Sequence, residues 1–361
     1  MEEAKKKRIV LVMPTLMQGG AERVMSELAN EWTNNGHQVK IILLVKSTVF
    51  YTLNSKVELV SLNFDNDNTH IITRSVRSLT VLFQLRKQIK SSKPDFVMSF
   101  MDKYNVITIV SSFFLKVNVF ISDRANPYEI IPKPVEIARK MLYRFAKGII
   151  AQTSLAKEVL FAKTKNKNIM VIPNPINGFS VTAQSNKENI ILNVGRLVRE
   201  KGQHYLIEMM ASLQSDNWKL VILGDGPLRE TLQNQIDKLN LNGKVFLEGT
   251  VSNVDEWLSK SSIFAFSSIS EGFPNALVEA MASGLPSVSF DCDAGPRDII
   301  DNNKNGILIP LGDTESFTKA VQNLIDDSNS RKEIGIEAAK ISEVLNIKSI
   351  AEKYLQFCSG K

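Results

Sequence analysis

The sequence predicts an α/β protein made of two doubly wound, parallel-sheet domains. Its 361 residues exceed what a single core usually organises, which sets two domains as the starting point. Short, continuous apolar runs of the kind buried on both faces of a sheet alternate with segments of helical apolar spacing. Both halves keep this rhythm, and each has a glycine-bearing loop where a strand hands over to a helix.

Arg8-Ile-Val-Leu-Val-Met13 is the first buried strand, and Pro14 ends it. Ala21, Val24, Met25, Leu28, Ala29 and Trp32 then recur at helical spacing up to Gly36, and Val39 to Val45 forms a second strand. The loop between strand and helix carries Gly19-Gly20, where backbone comes close enough to meet an anion at a helix start. A dinucleotide-binding reading fails here. The Gly-x-Gly-x-x-Gly spacing is absent, and Val45-Lys46-Ser47 offers no acid for a ribose.

Residues 68–94 contain no acid and six basic residues, among them Arg74, Arg77 and Arg86. Ile72, Val76, Leu79 and Phe83 predict the apolar stripe of a helix, with Arg74 and Arg77 adjacent on its surface. An unpaired basic face of this kind suits a phosphate or an anionic lipid headgroup. Further strands are predicted at 95–100 and 118–122. Asp102 follows the first of them, and Asp123-Arg124 the second, at the ends where this sheet type binds ligands. Pro132 and Pro134 start an amphipathic helix over 135–146. A strand at 148–151 leads to a Thr153-Ser154 cap, and a strand at 169–172 leads to a polar linker at 178–188.

The second half restarts with a strand at 189–194, followed by Gly195-Arg196-Leu-Val-Arg-Glu-Lys201-Gly202. A guanidinium fork and an ammonium in one strand-to-helix loop suit a diphosphate. Strand 219–223 runs into Gly224-Asp225-Gly226-Pro227. Helix 228–239, strand 244–248, a short helix at 254–258 and strand 263–266 continue the alternation. Next comes Glu271-Gly-Phe273-Pro-Asn275-Ala276-Leu277-Val-Glu279, a loop opening a helix, with Asn275 expected at the N-cap. The free amides and positive dipole of that helix start suit a phosphate. The two glutamates, which phosphates would repel, suit hydroxyl groups at either end of a diphosphate. A sugar nucleotide has that layout. Strands at 287–290 and 306–309, then helices from Thr314, complete the chain.

The composition, 43% hydrophobic and 23% charged, is that of a globular protein. Cys292 and Cys358 form no disulfide framework, no apolar run reaches the ~18 residues of a membrane span, and the first eight residues lack a signal-type apolar segment. A cytoplasmic location follows as the expectation. The net charge of +6 fits phosphorylated ligands or peripheral contact with an anionic membrane. Nucleic acid is disfavoured, because the basic residues are not interleaved with stacking aromatics.

Four marks, Gly19-Gly20-Ala21-Glu22, Gly195-Arg196-Leu197 with Glu200-Lys201-Gly202, Gly224-Asp225-Gly226-Pro227 and Glu271 to Glu279, stand in order across nearly the whole chain. Together they make it resemble glycosyltransferase family 4, retaining nucleotide-sugar enzymes of GT-B fold with two Rossmann-like domains facing a central cleft. The resemblance implies an acceptor-side domain over 1–178, on which a last helix (about 347–361) packs back. It implies a nucleotide-sugar domain over 179–346. Arg196 and Lys201 would hold the diphosphate and stabilise the leaving group in place of a metal, so no cofactor is expected. Glu271 would bind donor-sugar hydroxyls and Glu279 the ribose. Amides near Ala276 and Leu277 would meet the phosphates together with Gly19 or Gly20. Gly224, Asp225, Gly226, Phe273 and Asn275 would complete the donor site.

The chain departs from the family in lacking the histidine that many relatives carry after the fourth strand of the first domain. Its histidines are His37, His70 and His204, and the corresponding stretch reads Ser122-Asp123-Arg124. Asp102, Asp123 and Arg124, with Arg74 and Arg77, are the expected acceptor or positioning residues. Ser289-Phe-Asp-Cys-Asp-Ala-Gly-Pro296 resembles bacterial members that build capsule, lipopolysaccharide or lipid-linked glycans. That implies a UDP-hexose or UDP-N-acetylhexosamine donor and a polyprenyl-diphosphate-linked acceptor.

Three rivals are weighed beside this reading. Asp65-Asn-Asp67 and Asp291-Cys-Asp293 match the metal pattern of the other major glycosyltransferase fold. The same fold also serves sugar-nucleotide epimerases and sugar-phosphate synthases. A non-enzymatic glycan-binding module would use the basic face alone.

Overall fold

The computed structural model describes residues 6–62, 71–124, 126–176 and 187–360, without the side chains of 71–78. The chain divides into two units, one of Met1–Pro175 together with Ile347–Lys361 and one of Ile176–Asn346. The first unit runs β1 (Arg8–Met13), α1 (Gly20–Asn34), β2 (Gln38–Leu43), β3 (Glu58–Ser61), α2 (Ile71–Ser92), β4 (Phe96–Phe100), α3 (Asp102–Ser112), β5 (Asn118–Ser122), α4 (Lys133–Leu142), a 3-10 turn (Tyr143–Phe145), β6 (Gly148–Ala151), α5 (Ser154–Thr164) and β7 (Ile169–Val171). The second runs β8 (Ile190–Val194), a 3-10 turn (Arg199–Lys201), α6 (Gln203–Ser212), β9 (Lys219–Leu223), α7 (Arg229–Lys238), β10 (Val245–Gly249), α8 (Val254–Lys260), β11 (Ile263–Phe266), α9 (Asn275–Ala282), β12 (Ser287–Asp291), α10 (Pro296–Ile299), β13 (Ile307–Pro310), α11 (Thr314–Asp326), α12 (Ser328–Ala339) and α13 (Ile341–Leu345). The final helix, α14 (Ile347–Ser359), belongs to the first unit.

Both sheets are parallel throughout. Their orders are β3-β2-β1-β4-β5-β6-β7 and β10-β9-β8-β11-β12-β13. Each order reverses direction once, between β1 and β4 in one sheet and between β8 and β11 in the other. Ligands of doubly wound sheets bind outside the carboxyl ends of the strands at that reversal.

The continuous apolar strands are sandwiched as expected. In β8, Ile190 and Leu192 pack into one cluster with Leu277 and Met281, while Ile191 packs into another with Leu206 and Phe317. In the first unit Val10, Val12, Val97 and Ile121 share a core with Leu85 and Ile89. Its opposite face is closed by α1 and α14. There the Trp32 indole N–H donates to the Ala351 carbonyl at 3.1 Å, and Trp32 and Phe120 pack edge-on against Tyr354 and Phe357.

Three local expectations are corrected. The apolar stripe of α2 is not the one named from the sequence. Val81, Leu85 and Ile89 are buried, whereas Leu79 and Phe83 lie outside, Phe83 at 70% exposure. Arg86 is likewise no part of a free basic face, because it donates to the carbonyls of Ser111 and Phe113 at the end of α3. The α4 helix stops at Leu142 and tightens into a 3-10 turn instead of continuing to 146. The four-residue strand β3 was missed; it lies at the sheet edge and is largely exposed, so it carries no buried apolar run. Asp65, Asp67 and most of the expected linker fall outside the described residues.

Candidate active site

In the second unit, the residues at the sheet reversal are Lys201, from the loop after β8, and Glu271, from the loop after β11. The Lys201 ammonium sits 2.5 Å from a Glu271 carboxylate oxygen and above the Phe266 ring, and Glu271 is 9% exposed. Two further bonds join the loops, the Ser267 hydroxyl to the Lys201 carbonyl at 2.8 Å and the Ile269 amide to the Glu200 carbonyl at 2.9 Å. Gly202 makes this junction feasible. Its φ is +62°, and a Cβ there would lie 2.2 Å from the Ser267 carbonyl oxygen. Arg196 stands at the same strand end, exposed, with its carbonyl held by the Gln203 side chain at 3.0 Å.

Gly224 and Gly226 allow two loops of the second unit to pack closely. A Cβ on Gly224 would meet the Gly195 carbonyl at 2.1 Å, and one on Gly226 the Leu197 carbonyl at 2.5 Å. They let the loop after β9 press against the Arg196 loop, and the Leu197 amide bonds the Asp225 carbonyl at 3.0 Å. The Asp225 carboxylate accepts from the Gly226 amide at 2.7 Å.

The cap of helix α9 lies one residue before the expected one. Pro274 holds the N-cap position and Asn275 is the first helical residue. The Asn275 amide is taken by the Phe273 carbonyl and the Val278 amide by that of Pro274. Between them the Ala276 and Leu277 amides lie in the first turn, where a helix supplies no acceptor. Phe273 is buried, and Gly295 leaves room for Pro274 against it, since a Cβ there would lie 2.3 Å from the Pro274 ring. Glu279 lies on α9 and is half-buried. Of the second Asp-x-Asp match, Asp291 is taken by a two-pronged pair with Arg297, both contacts at 3.0 Å. Cys292, beside Glu271, has its thiol pushed up to about 12 by burial and by that carboxylate.

In the first unit, Gly19 caps α1, and the Tyr51 hydroxyl holds it by donating to its carbonyl at 3.0 Å and accepting from its amide at 3.2 Å. The Glu22 carboxylate folds back over Gly19, in the space a Cβ would need. It reaches the helix start from the third helical position, as the acid of a capping box does.

Sequence reasoning named Asp102 and Asp123 but missed the residue that joins them. Arg139 of α4 reaches Asp102 at 3.2 Å with one nitrogen and Asp123 at 2.6 Å with the other. Burial, and then the Asp123 charge, push the Asp102 carboxyl up to about 7, against the pull of Arg139. The buried Asp102 Oδ1 has no hydrogen-bond partner among the described residues. Behind the pair, Asn105 links Ser99, the Ser122 carbonyl and the Tyr143 hydroxyl. Arg124 turns elsewhere, over the Phe100 ring and to Asn174 and Tyr354. The side chains of Arg74 and Arg77 lie outside those described. No local pattern marks Arg139, whose partners are brought to it by the tertiary fold.

Two doubly wound, parallel-sheet domains, the second with Arg196, Lys201 and the start of α9 at its sheet reversal, have the architecture of a glycosyltransferase of GT-B fold. The chain belongs to glycosyltransferase family 4. The model for glycosyl transferases group 1 matches residues 178–341 and that for glycosyltransferase family 4 matches 18–177. A Campylobacter jejuni relative, GalNAc-α-(1→4)-GalNAc-α-(1→3)-diNAcBac-PP-undecaprenol α-1,4-N-acetyl-D-galactosaminyltransferase, is 30% identical over 358 residues, 97% of each chain. The amylovoran biosynthesis glycosyltransferase AmsD of Erwinia amylovora is 27% identical over 90% of this chain and 92% of its own. Among solved structures, the apo lipopolysaccharide outer core galactosyltransferase WaaB shares the fold at TM-score 0.79 and 20% identity, over 97% and 98% of the chains. Anabaena Alr3699/HepE in complex with UDP does so at TM-score 0.81 and 18% identity, over 98% and 100%.

Proposed function

We propose that this glycosyltransferase moves a hexose or N-acetylhexosamine, with retention, from a UDP-sugar to a polyprenyl-diphosphate-linked glycan. The observation that carries the reading is the Lys201–Glu271 pair at the reversal of the second sheet, in the same loop system as the open first turn of α9. Arg196, Lys201 and the amides of Ala276 and Leu277 bind the diphosphate and take up the charge of the departing nucleotide. Once Lys201 turns to phosphate, Glu271 is released to accept hydrogen bonds from sugar hydroxyls. Glu279 binds the ribose. The acceptor hydroxyl attacks on the face the nucleotide leaves, and a departing phosphate oxygen takes its proton. Asp102 and Asp123, set by Arg139, orient the acceptor. The Campylobacter relative's diphosphoundecaprenol acceptor and the UDP bound by the Anabaena neighbour support the choice of ligands.

The test is a panel of UDP- and GDP-sugars incubated with the protein and membrane extract, with products read by mass spectrometry and their anomeric configuration by NMR. A UDP-sugar is expected to be consumed only with the lipid fraction present, to give the α-product, and to do so equally in EDTA. Turnover with GDP-sugars alone, an inverted product, or loss in EDTA would each overturn the corresponding part.

A further inference from the structure

We propose that the outer side of α4, with the loop after α3, is a docking surface for an anionic lipid bilayer. The proposal deepens the lipid-linked acceptor reading and rests on it for its biological sense. The helix contains no buried residue. Arg139 faces inward to Asp102 and Asp123, and at about 100° per residue Ile137 and Met141 fall on the opposite side. Both are exposed, at 57% and 55%, and Phe145 continues the line one turn on at 57%. Phe145 packs edge-on against Phe113, with ring centroids 5.5 Å apart, and Phe113 adjoins Phe114, which is 100% exposed. Phe114 also has φ +60°, a backbone state that glycine or asparagine fills at lower cost. A bulky ring is thus held out in solvent at a strained position.

The surroundings select the partner. Lys133, Lys140, Arg144 and Lys147 are exposed on or beside this strip, and the Arg144 guanidinium lies over the Phe145 ring. The one acid of α4, Glu136, pairs with Lys140. An apolar stripe bordered by cations is the pattern of a segment lying in a headgroup layer, with rings among the acyl chains and ammonium groups at the phosphates. Among the described residues no helix is long and apolar enough to cross a membrane, so contact through this surface is interfacial.

The test is flotation of the full chain with vesicles of phosphatidylcholine, with or without an equal part of phosphatidylglycerol. Binding is expected only with phosphatidylglycerol, and it should weaken as salt rises. The Met141→Glu/Phe145→Glu variant should bind about tenfold more weakly or worse. Lys140→Glu/Arg144→Glu should lose binding in low salt. Both should keep the wild-type melting temperature, since they change exposed side chains. Absent vesicle binding, undiminished binding by both variants, or a concentration-dependent dimer that both variants abolish would overturn the proposal. Turnover on a short-chain, water-soluble acceptor, measured in parallel, separates the two readings. Vesicle binding without turnover would leave the surface standing and remove the proposed reaction.

Discussion

Lys201 and Glu271 pair at 2.5 Å, and in the proposed reaction Lys201 moves from that carboxylate to the diphosphate. Lys201→Ala should therefore lower turnover by roughly 10² or more, through lost stabilisation of the leaving group, while leaving Glu271 buried without its partner. A steady-state assay showing a rise in KM with unchanged turnover would contradict that role. Asp102 makes a pH prediction. Its carboxyl holds a proton up to about pH 7 in the fold but only to about 3.8 when unfolded. Between those values the folded state binds more protons, so this group's contribution to stability falls as pH rises across the window. Melting curves of Asp102→Asn should lose that slope. If the ionised carboxylate orients the acceptor, wild-type turnover should climb through about pH 7, and the variant's profile should be flat there. Glu271 and Lys201 were named because each lies in a local motif that resembles the family's, and the structure pairs them. Arg139 was not named. Its partners lie 37 and 16 residues away, and only the ordering of β4, β5 and α4 brings the three together.

For whole elements, the strands buried on both faces were legible to within a residue or two, because such burial leaves an uninterrupted apolar run, whereas the exposed edge strand β3 was not. The helix α2 was found but its orientation was not. Ile72, Val76, Leu79 and Phe83 fit helical spacing as well as Val81, Leu85 and Ile89 do, and periodicity cannot say which stripe meets the sheet. The packing makes the difference measurable. Leu85→Ala should cost about 2–4 kcal/mol in urea unfolding, as a fully buried leucine does, whereas Phe83→Ala should change stability by less than about 0.5 kcal/mol. Equal effects would mean that α2 packs by the other stripe. The α9 cap illustrates a finer limit. Asn275 is a good capping residue by type, yet the loop held by Gly295 and Pro274 sets the helix start one position earlier.

Across the whole molecule, the first unit is assembled from two distant parts of the chain. Tyr354, Ile350 and Ala351 are buried against it, and Phe357 fits over β6 because Gly148 has no side chain; a Cβ there would lie 2.6 Å from that ring. Ending the chain after Asn346 should uncover Trp32 and Phe120. Thermal melting followed by tryptophan fluorescence, together with brief proteolysis, should then find the first unit destabilised and cut ahead of the second. A truncated chain as resistant as the full one would mean that α14 is dispensable. The same arrangement imposes an order on biosynthesis. The 171 residues from Ile176 to Asn346 leave the ribosome before the segment that seals Trp32. At about 5–20 residues per second, the unsealed hydrophobic face waits roughly 10–30 s during each round of translation. Through that interval the newborn amino-terminal half is a natural client for a holding chaperone, and any slow codon run in the second half prolongs its exposure.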